Sequence, residues 1–167
     1  GADTIIELEK NIGKGGAVIE GIKRATKDIL LFLDADLVNL NAEHLQQMLA
    51  PVAKNEADMA IGFLTDMKTQ NTFHFFSGQR VIKRVVVQDV IDDRKFSKSR
   101  FQFEILLNRL ARDLKLKTIF IPLSNLYHLK KNEKYGKRKA LSMHLKFLTD
   151  ITVRTHKKQF FAGGLAF

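Results

Sequence analysis

The stretch Asp28-Ile-Leu-Leu-Phe-Leu-Asp-Ala-Asp-Leu37 decides the fold. Five consecutive apolar residues, Ile29 to Leu33, run directly into Asp34 and Asp36. A short apolar run bounded by charge indicates a strand buried on both faces of an α/β sheet, and open α/β sheets bind ligands at the carboxyl ends of their strands. Because residues i and i+2 of an extended chain point the same way, both carboxylates are predicted to converge on one hard cation. The alternative is a strand end followed by a helix-capping aspartate.

The segments around this stretch alternate between strand and helix patterns. Thr4 to Leu8 predicts a short strand, and apolar residues at helical spacing predict a helix from Ala17 to Ala25. Asn41 is predicted to cap a second helix that ends near Lys54, and Asp58 to Leu64 predicts another strand. This order predicts an α/β fold with right-handed crossovers and a mostly parallel sheet flanked by helices.

The second half is predicted to contain loops, helices and one further long strand. Residues 65–78 predict a loop that leads into a basic helix from Gln79 to about Val90. Amphipathic spacing predicts a helix over residues 103–114, and residues 117–123 predict a strand that Pro122 ends or places at a sheet edge.

Length, composition and charge narrow the class of protein. With 167 residues, 45% of them hydrophobic, the chain is expected to form one soluble domain. It lacks an apolar run near the ~20 residues of a membrane span, a secretory signal pattern and cysteine, so we expect a cytoplasmic protein without disulfides. The net charge of +10 divides into −5 over residues 1–66 and +15 over residues 67–167. This asymmetry indicates either an anionic partner for the second half or a basic solvated surface.

A glycine-rich segment, Asn11-Ile-Gly-Lys-Gly-Gly-Ala17, precedes the first predicted helix. Its glycines permit a tight turn and close approach of the backbone to a ligand, and Lys14 supplies a positive charge. The spacing is not that of a Walker loop. By itself the segment is more typical of a plain turn from strand to helix than of a ligand-binding loop.

Five motifs follow one another along the chain. They are Asn11-x-Gly-Lys-Gly-Gly-Ala17, Ile29-Leu-Leu-Phe-Leu-Asp-Ala-Asp36, Ser77-Gly-Gln-Arg80, Phe103-Glu104 and Pro122-Leu-x-x-x-x-His128. In this order the chain, from about Asp3 to Leu148, resembles the nucleotide-sugar glycosyltransferases of the GT-A type, family 2 and its relatives. The dolichyl-phosphate mannosyltransferase and glucosyl-3-phosphoglycerate synthase types look most similar. The resemblance implies a partial GT-A (Rossmann-like) fold and transfer of a sugar from a nucleotide-diphosphate sugar to an acceptor.

Metal binding is the first role that the resemblance implies. Asp34 and Asp36 would hold Mg²⁺ or Mn²⁺ against the donor diphosphate, and His128 matches a position that is a further metal ligand in several relatives. A hard divalent ion prefers carboxylate oxygens and neutralises charge on the departing nucleoside diphosphate, and imidazole is compatible with Mn²⁺. A structural role is the alternative for His128.

The resemblance also implies contacts with the substrates. Lys14 would contact the nucleotide, and Gly78 and Arg80 would lie in the acceptor loop, where an arginine suits a phosphate-bearing acceptor. Glu104 matches a carboxylate that could deprotonate the acceptor hydroxyl, and a helix-start carboxylate is its alternative. A basic cluster would fold over the diphosphate or forms a solvated turn: Lys130, Lys131, Lys134, Lys137, Arg138 and Lys139.

The beginning of the chain departs from the family pattern, which starts with a strand, a helix and a second strand that are missing here. We expect one N-terminally incomplete domain over residues 1–167, with a donor and metal half over 1–66, an acceptor half over 67–158 and an apolar tail over 159–167. An unpaired central strand exposes backbone donors. A longer protein, a partner chain or a second copy in a homo-oligomer is therefore expected to complete the sheet, unless the chain is a degenerate remnant.

Other functions are compatible with the sequence. A non-catalytic basic module would explain the charge, but nucleic acid is disfavoured because no nucleic-acid-binding pattern or stacking platform is present. Leu141, Leu145, Leu148 and Thr152 predict a last, basic helix. This helix and the apolar tail suit peripheral contact with an anionic membrane and a lipid-linked acceptor. A nucleotidyltransferase, which shares a Rossmann-like core with an acidic metal site, is the third alternative.

Overall fold

The computed structural model describes residues 2–65, 74–88, 91 and 103–128. The helices are α1 Gly13–Arg24, α2 Ala42–Ala53, α3 Arg84–Gln88 and α4 Phe103–Asp113, with a 3-10 helix over His74–Phe76. The strands are β1 Ile29–Phe32, β2 Leu37–Val38, β3 Met59–Thr65, β4 Arg80–Lys83, β5 Thr118–Ser124 and β6 Tyr127–His128. The chain divides into two compact units, residues 1–127 and 128–167. The division predicted from the sequence, with boundaries after residues 66 and 158, stays a prediction.

Four of the strands form one mixed sheet in the order β1-β4-β3-β5. β4 is antiparallel to both β1 and β3, whereas β3 and β5 are parallel. β1, β3 and β5 therefore point the same way, and β4 is the reversed strand of this sheet. β2 and β6 form a separate two-stranded sheet. The α/β fold with flanking helices expected from the sequence is confirmed, but the sheet is only partly parallel, because β4 is antiparallel to both of its neighbours.

Helices cover both faces of the sheet because side chains alternate along each strand. Met59 and Ile61 of β3 pack in a cluster with α1 and α4, whereas Ala60 between them packs in a cluster with α2. The first cluster also contains Ile19, Ile22, Leu30, Ile82, Val87, Phe103, Leu107 and Ala111, and the second also contains Met48, Val52, Ala57, Val81, Leu123 and Leu126. Each fully buried aliphatic side chain contributes roughly 1.5–3 kcal/mol, so these two layers hold the sheet in place.

β4 corrects the helix predicted from Gln79 to about Val90. Residues 80–83 are a strand, and among the described residues from 79 to 88 the five residues of α3 are the helical ones. Val81 and Ile82 are fully buried on opposite faces of the sheet, which a strand permits and an amphipathic helix does not. β-branched residues also favour a strand once neighbours on both sides can pair with it.

The start of the chain corrects two further expectations. Thr4 to Leu8 is not a strand, and Ile5 is 77% exposed; a strand gains stability from pairing and packing, and neither is described for this segment. The glycine-rich segment, expected as a turn, forms the first turn of α1. Gly16 packs so closely on Ile12 that a Cβ would collide with the Ile12 side chain.

α2 begins as the sequence predicts. The Asn41 side chain accepts a hydrogen bond from the His44 backbone N–H at 3.0 Å, and His44 Nδ1 accepts one from the Asn41 backbone N–H at 3.3 Å. Such a reciprocal cap satisfies two backbone donors that a helix otherwise leaves unpaired. α4 and β5 likewise confirm the predicted amphipathic helix and strand. In the described parts of the chain, no helix has both the length and the apolar character required to span a membrane.

Candidate functional site

Asp34 lies in the loop that follows β1, beside the turn that precedes β4. The antiparallel register places Phe32 opposite Arg80, so continuing it by two residues brings Asp34 next to Gly78. A Cβ at position 78 would collide with both oxygens of the Asp34 carboxylate. Glycine is therefore the residue that permits this approach. The contact explains Gly78 of the Ser77-Gly-Gln-Arg80 motif without an acceptor, and the acceptor contact expected for Gly78 stays a prediction.

Lys14 joins this carboxylate to a second one. α1 packs on the sheet and precedes β1, and its first turn lies near the carboxyl end of that strand. Lys14 Nζ lies 2.7 Å from Asp34 Oδ1 and 2.5 Å from Glu104 Oε1. Burial alone would lower the pKa of Lys14, but hydrogen bonds to Asp34 and Glu104, together with their charges, outweigh it and raise that pKa.

Glu104 stands in the first turn of α4, where the helix dipole favours a carboxylate. Its side chain is only 8% exposed and contacts Lys14. Both sequence interpretations therefore meet here, because Glu104 is a helix-start carboxylate and also lies against Lys14, which contacts Asp34. Its role as a catalytic base stays a prediction.

Arg80 is a buried member of the same region, and not a loop residue as the sequence suggested. It is 1% exposed, and its guanidinium donates to the carbonyls of Phe75 at 2.7 Å and Ser77 at 2.8 Å and to Asn108 Oδ1 at 2.6 Å. Burial lowers the pKa of Arg80 to about 10, against the opposing charge of Glu104. The guanidinium binds protein carbonyls and so fastens the segment before β4 to α4, and the expected acceptor contact stays a prediction.

Gln79 belongs to the site and was missed by sequence reasoning. It is 1% exposed, and its Nε2 donates to Asp34 Oδ2 at 3.3 Å. Its Oε1 lies 2.9 Å from Ser77 Oγ, which also contacts the carbonyl oxygen of Gly62. The available signal was a polar residue between a glycine and an arginine within a recognised motif.

The remaining predicted residues are placed less completely. Asp36 is half-buried two residues after Asp34, and His128 begins the second unit. Lys131 lies outside the described residues. Over residues 2–65, 74–88, 91 and 103–128, no group of three or more His, Asp and Glu side chains is arranged to hold a metal.

The donor chemistry of the site nevertheless fits a divalent cation. Asp34 and Asp36 offer the hard carboxylate oxygens that Mg²⁺ and Mn²⁺ prefer, and Asp34 already holds the ammonium of Lys14. A positive charge is thus bound at Asp34 in this structure. The arrangement can bind a cation, an anion paired with that cation, or both.

Comparison with known proteins agrees with this geometry. Residues 4–100 match Glycosyl transferase family 2, and no curated protein matches the chain. Glucosyl-3-phosphoglycerate synthase from Mycobacterium tuberculosis, in complex with Mn²⁺, UDP-glucose and phosphoglyceric acid, is similar over 80% of this chain and 54% of that chain, with 16% identity and a TM-score of 0.53. The same enzyme with Mg²⁺ and UDP gives the same coverage and identity and a TM-score of 0.57. A further mycobacterial protein is 17% identical over 86% of this chain and 52% of that chain, with a TM-score of 0.56.

The chain therefore spans about half the length of these solved structures. At such identities the likeness establishes the fold, which is the GT-A fold expected from the sequence. The family match covers more than half of the chain and includes Lys14, Asp34, Asp36 and Gly78. The chain belongs to glycosyl transferase family 2.

Proposed function

We propose that the protein takes part in metal-dependent transfer of a sugar from a nucleotide-diphosphate sugar to an acceptor. The observation that carries the proposal is the meeting of Lys14, Asp34 and Glu104, from three separate segments, at the carboxyl end of β1. Open α/β sheets bind their ligands at this edge. The solved structures of glucosyl-3-phosphoglycerate synthase contain Mn²⁺ or Mg²⁺ with UDP or UDP-glucose, which supports a donor of this class.

Asp34 and Asp36 are the residues that would hold Mg²⁺ or Mn²⁺. When bound, such an ion neutralises the negative charge that builds on the departing nucleoside diphosphate. His128 stays a third ligand predicted from the sequence. The fit rests on the carboxylate oxygens and on the cation that Asp34 already accepts from Lys14.

Lys14 is proposed to move from the carboxylates to the donor phosphates. Its side chain is 38% exposed, so the ammonium can turn outward without unfolding α1. While it stays on Glu104, that carboxylate is neutralised. Release of Lys14 would leave Glu104 able to accept a proton from an acceptor hydroxyl.

The acceptor is proposed to bear a phosphate or a lipid-linked phosphate. Support comes from the excess of basic residues after position 66, Lys131 among them, and from phosphoglyceric acid in a similar solved structure. A cytoplasmic location with peripheral membrane contact would suit a lipid-linked acceptor. Binding of the chain to vesicles that contain anionic lipid, but not to vesicles that lack it, would support that part of the proposal.

The experiment measures Mn²⁺-dependent transfer or hydrolysis of UDP- and GDP-sugars by the 167-residue chain. We expect Asp36→Ala to reduce the rate by at least about a hundredfold, because the ion loses a carboxylate ligand. Asp28→Ala is the matched control, since this carboxylate precedes β1 and is 99% exposed. Equal rates for the two variants would overturn the proposal. Salt-sensitive binding of nucleic acid, unchanged by Asp36→Ala, would instead favour the basic binding module.

A further inference from the structure

We propose that Gln79 is a positioning residue that holds the Asp34 carboxylate in its ion-binding orientation. The inference rests on the proposed function only for the identity of the ion. A buried amide costs free energy unless its polar atoms are hydrogen-bonded. Gln79 is 1% exposed, and its two amide atoms face Asp34 and Ser77.

Lys14, Gln79 and Gly78 all lie against the Asp34 carboxylate. Lys14 contacts Oδ1 at 2.7 Å, Gln79 donates to Oδ2 at 3.3 Å, and the carboxylate fills the space beside Gly78 in which a Cβ would stand. Of these three partners, Lys14 is the one with an exposed side chain. When another cation replaces the ammonium, Gln79 and Gly78 remain to keep the carboxylate in place.

The chemistry of an amide suits this task. Its N–H fixes the direction of Oδ2 but carries no net charge, so the full negative charge of Asp34 stays available to a cation. A lysine at position 79 would neutralise Asp34, and a glutamate would repel it. An apolar residue would leave Oδ2 without this donor.

Gln79 is itself fastened to β3. Its backbone oxygen accepts a hydrogen bond from the Gly62 N–H at 2.9 Å, and Ser77 Oγ links Gln79 Oε1 to the Gly62 carbonyl. The hydroxyl proton of Ser77 serves one of these two oxygens at a time. The connection thus runs from β3 through Ser77 and Gln79 to Asp34, so the orientation of the carboxylate depends on the sheet.

The first test needs no metal and measures the acylation of Lys14 relative to exposed Lys10 by mass spectrometry, in the full chain. We expect Gln79→Met to raise the Lys14 labelling about fivefold, because loss of one hydrogen bond of about 1 kcal/mol lets Asp34 turn away from the ammonium. Asp34→Asn is the positive control, and Gln46→Met, which changes an exposed glutamine of α2, is the matched negative control. Labelling of Lys14 that rises in Asp34→Asn but not in Gln79→Met would overturn the inference.

The second test measures Mn²⁺ affinity by electron paramagnetic resonance, well below the melting temperature of each variant. We expect a loss of about tenfold for Gln79→Met, a smaller loss for Ser77→Ala and none for Gln46→Met. A residue that merely fills space would lower the melting temperature and leave Mn²⁺ affinity unchanged, which would overturn the inference. If the unaltered chain binds no Mn²⁺, the proposed function fails, and the labelling test still decides the role of Gln79.

Discussion

Two buried polar clusters of the described protein show opposite designs. Around Asp34, charged side chains arrive from α1 and from α4, the neutral Gln79 comes from the segment before β4, and the Lys14 side chain is partly exposed. At the start of α2, neutral groups of Asn41, His44 and Ser124 meet beside the end of β5. Both clusters bury polar atoms, but only the first gathers charges from segments far apart in the chain.

The α2 cluster is complete in itself. His44 Nδ1 accepts from the Asn41 N–H, and Nε2 donates to the Ser124 carbonyl at 2.8 Å, so both ring nitrogens are used. The cluster around Asp34 instead holds two carboxylates, Asp34 and Glu104, against the partly exposed ammonium of Lys14, which another cation can replace. A neutral, closed network therefore stabilises the fold, whereas a charged, partly open network can exchange partners with a ligand.

The largest effect on stability is expected at Arg80, which binds the segment before β4. Arg80→Met should lower the free energy of unfolding by about 3 kcal/mol, because two carbonyls and Asn108 lose a buried charged donor. Urea unfolding followed by circular dichroism measures this change. Arg109→Met is the control, since Arg109 is largely exposed and should change stability by less than about 0.5 kcal/mol. Equal stabilities would mean that Arg80 does not fasten the cluster.

The α2 cluster should affect stability alone. His44→Ala removes half of the reciprocal cap and the bond to Ser124, at an expected cost of about 2 kcal/mol in unfolding free energy. Mn²⁺ affinity should stay within about twofold of the unaltered chain, since the lost contacts are neutral and involve none of the side chains around Asp34. Gln46→Ala, on the exposed side of α2, serves as the control for the helix. A marked loss of Mn²⁺ binding in His44→Ala would erase the distinction between the clusters.

The two clusters also differ in how far the sequence predicts them. The Asn41 cap could be predicted because its partners lie within one helical turn. The contact of Lys14 with Glu104 joins residues 90 positions apart, and only the order of the family motifs placed both near one site. Gln79 was missed because its partners emerge only when β4 pairs with β1.

The same reason explains the errors in the fold. Val81 and Ile82 are followed by Arg84 to Gln88, and this run satisfies a helical pattern nearly as well as an extended one. Residues 80–83 adopt the extended pattern because β4 can pair with β1 on one side and with β3 on the other. β1 itself could be predicted, since its unbroken apolar run ends in charge.

A glycine pair tests the Asp34 cluster more finely. Gly78→Ala should cost about 1.5 kcal/mol and weaken Mn²⁺ binding about tenfold, because the added Cβ displaces the Asp34 carboxylate. Gly21→Ala is the matched control, since a Cβ there meets nothing within 4 Å and the change should stabilise α1 by about 0.5–1 kcal/mol. Calorimetric titration and thermal unfolding of both variants measure the difference. Unchanged Mn²⁺ affinity in Gly78→Ala would mean that Asp34 is not held where an ion binds.

The smallest effect is expected at the opposite ends of the strands, where Asp58 precedes β3. Its carboxylate accepts from the Lys117 N–H at 3.0 Å and from Lys83 Nζ at 3.4 Å, and the backbone bond first, then Lys83, hold the pKa of Asp58 below its ordinary value. Asp58→Asn should cost about 0.5 kcal/mol at pH 7, because the side chain is more than a third exposed. A lowered pKa means that this stability is present above the ordinary value of 3.8 and is lost as the pH falls through the folded value. The unfolding free energies of the two proteins, measured between pH 7 and pH 3, should therefore converge in acid. The Mn²⁺ affinity at pH 7 should be unchanged. A stability difference that persists in acid would show that the charge of the Asp58 carboxylate is not what stabilises the start of β3.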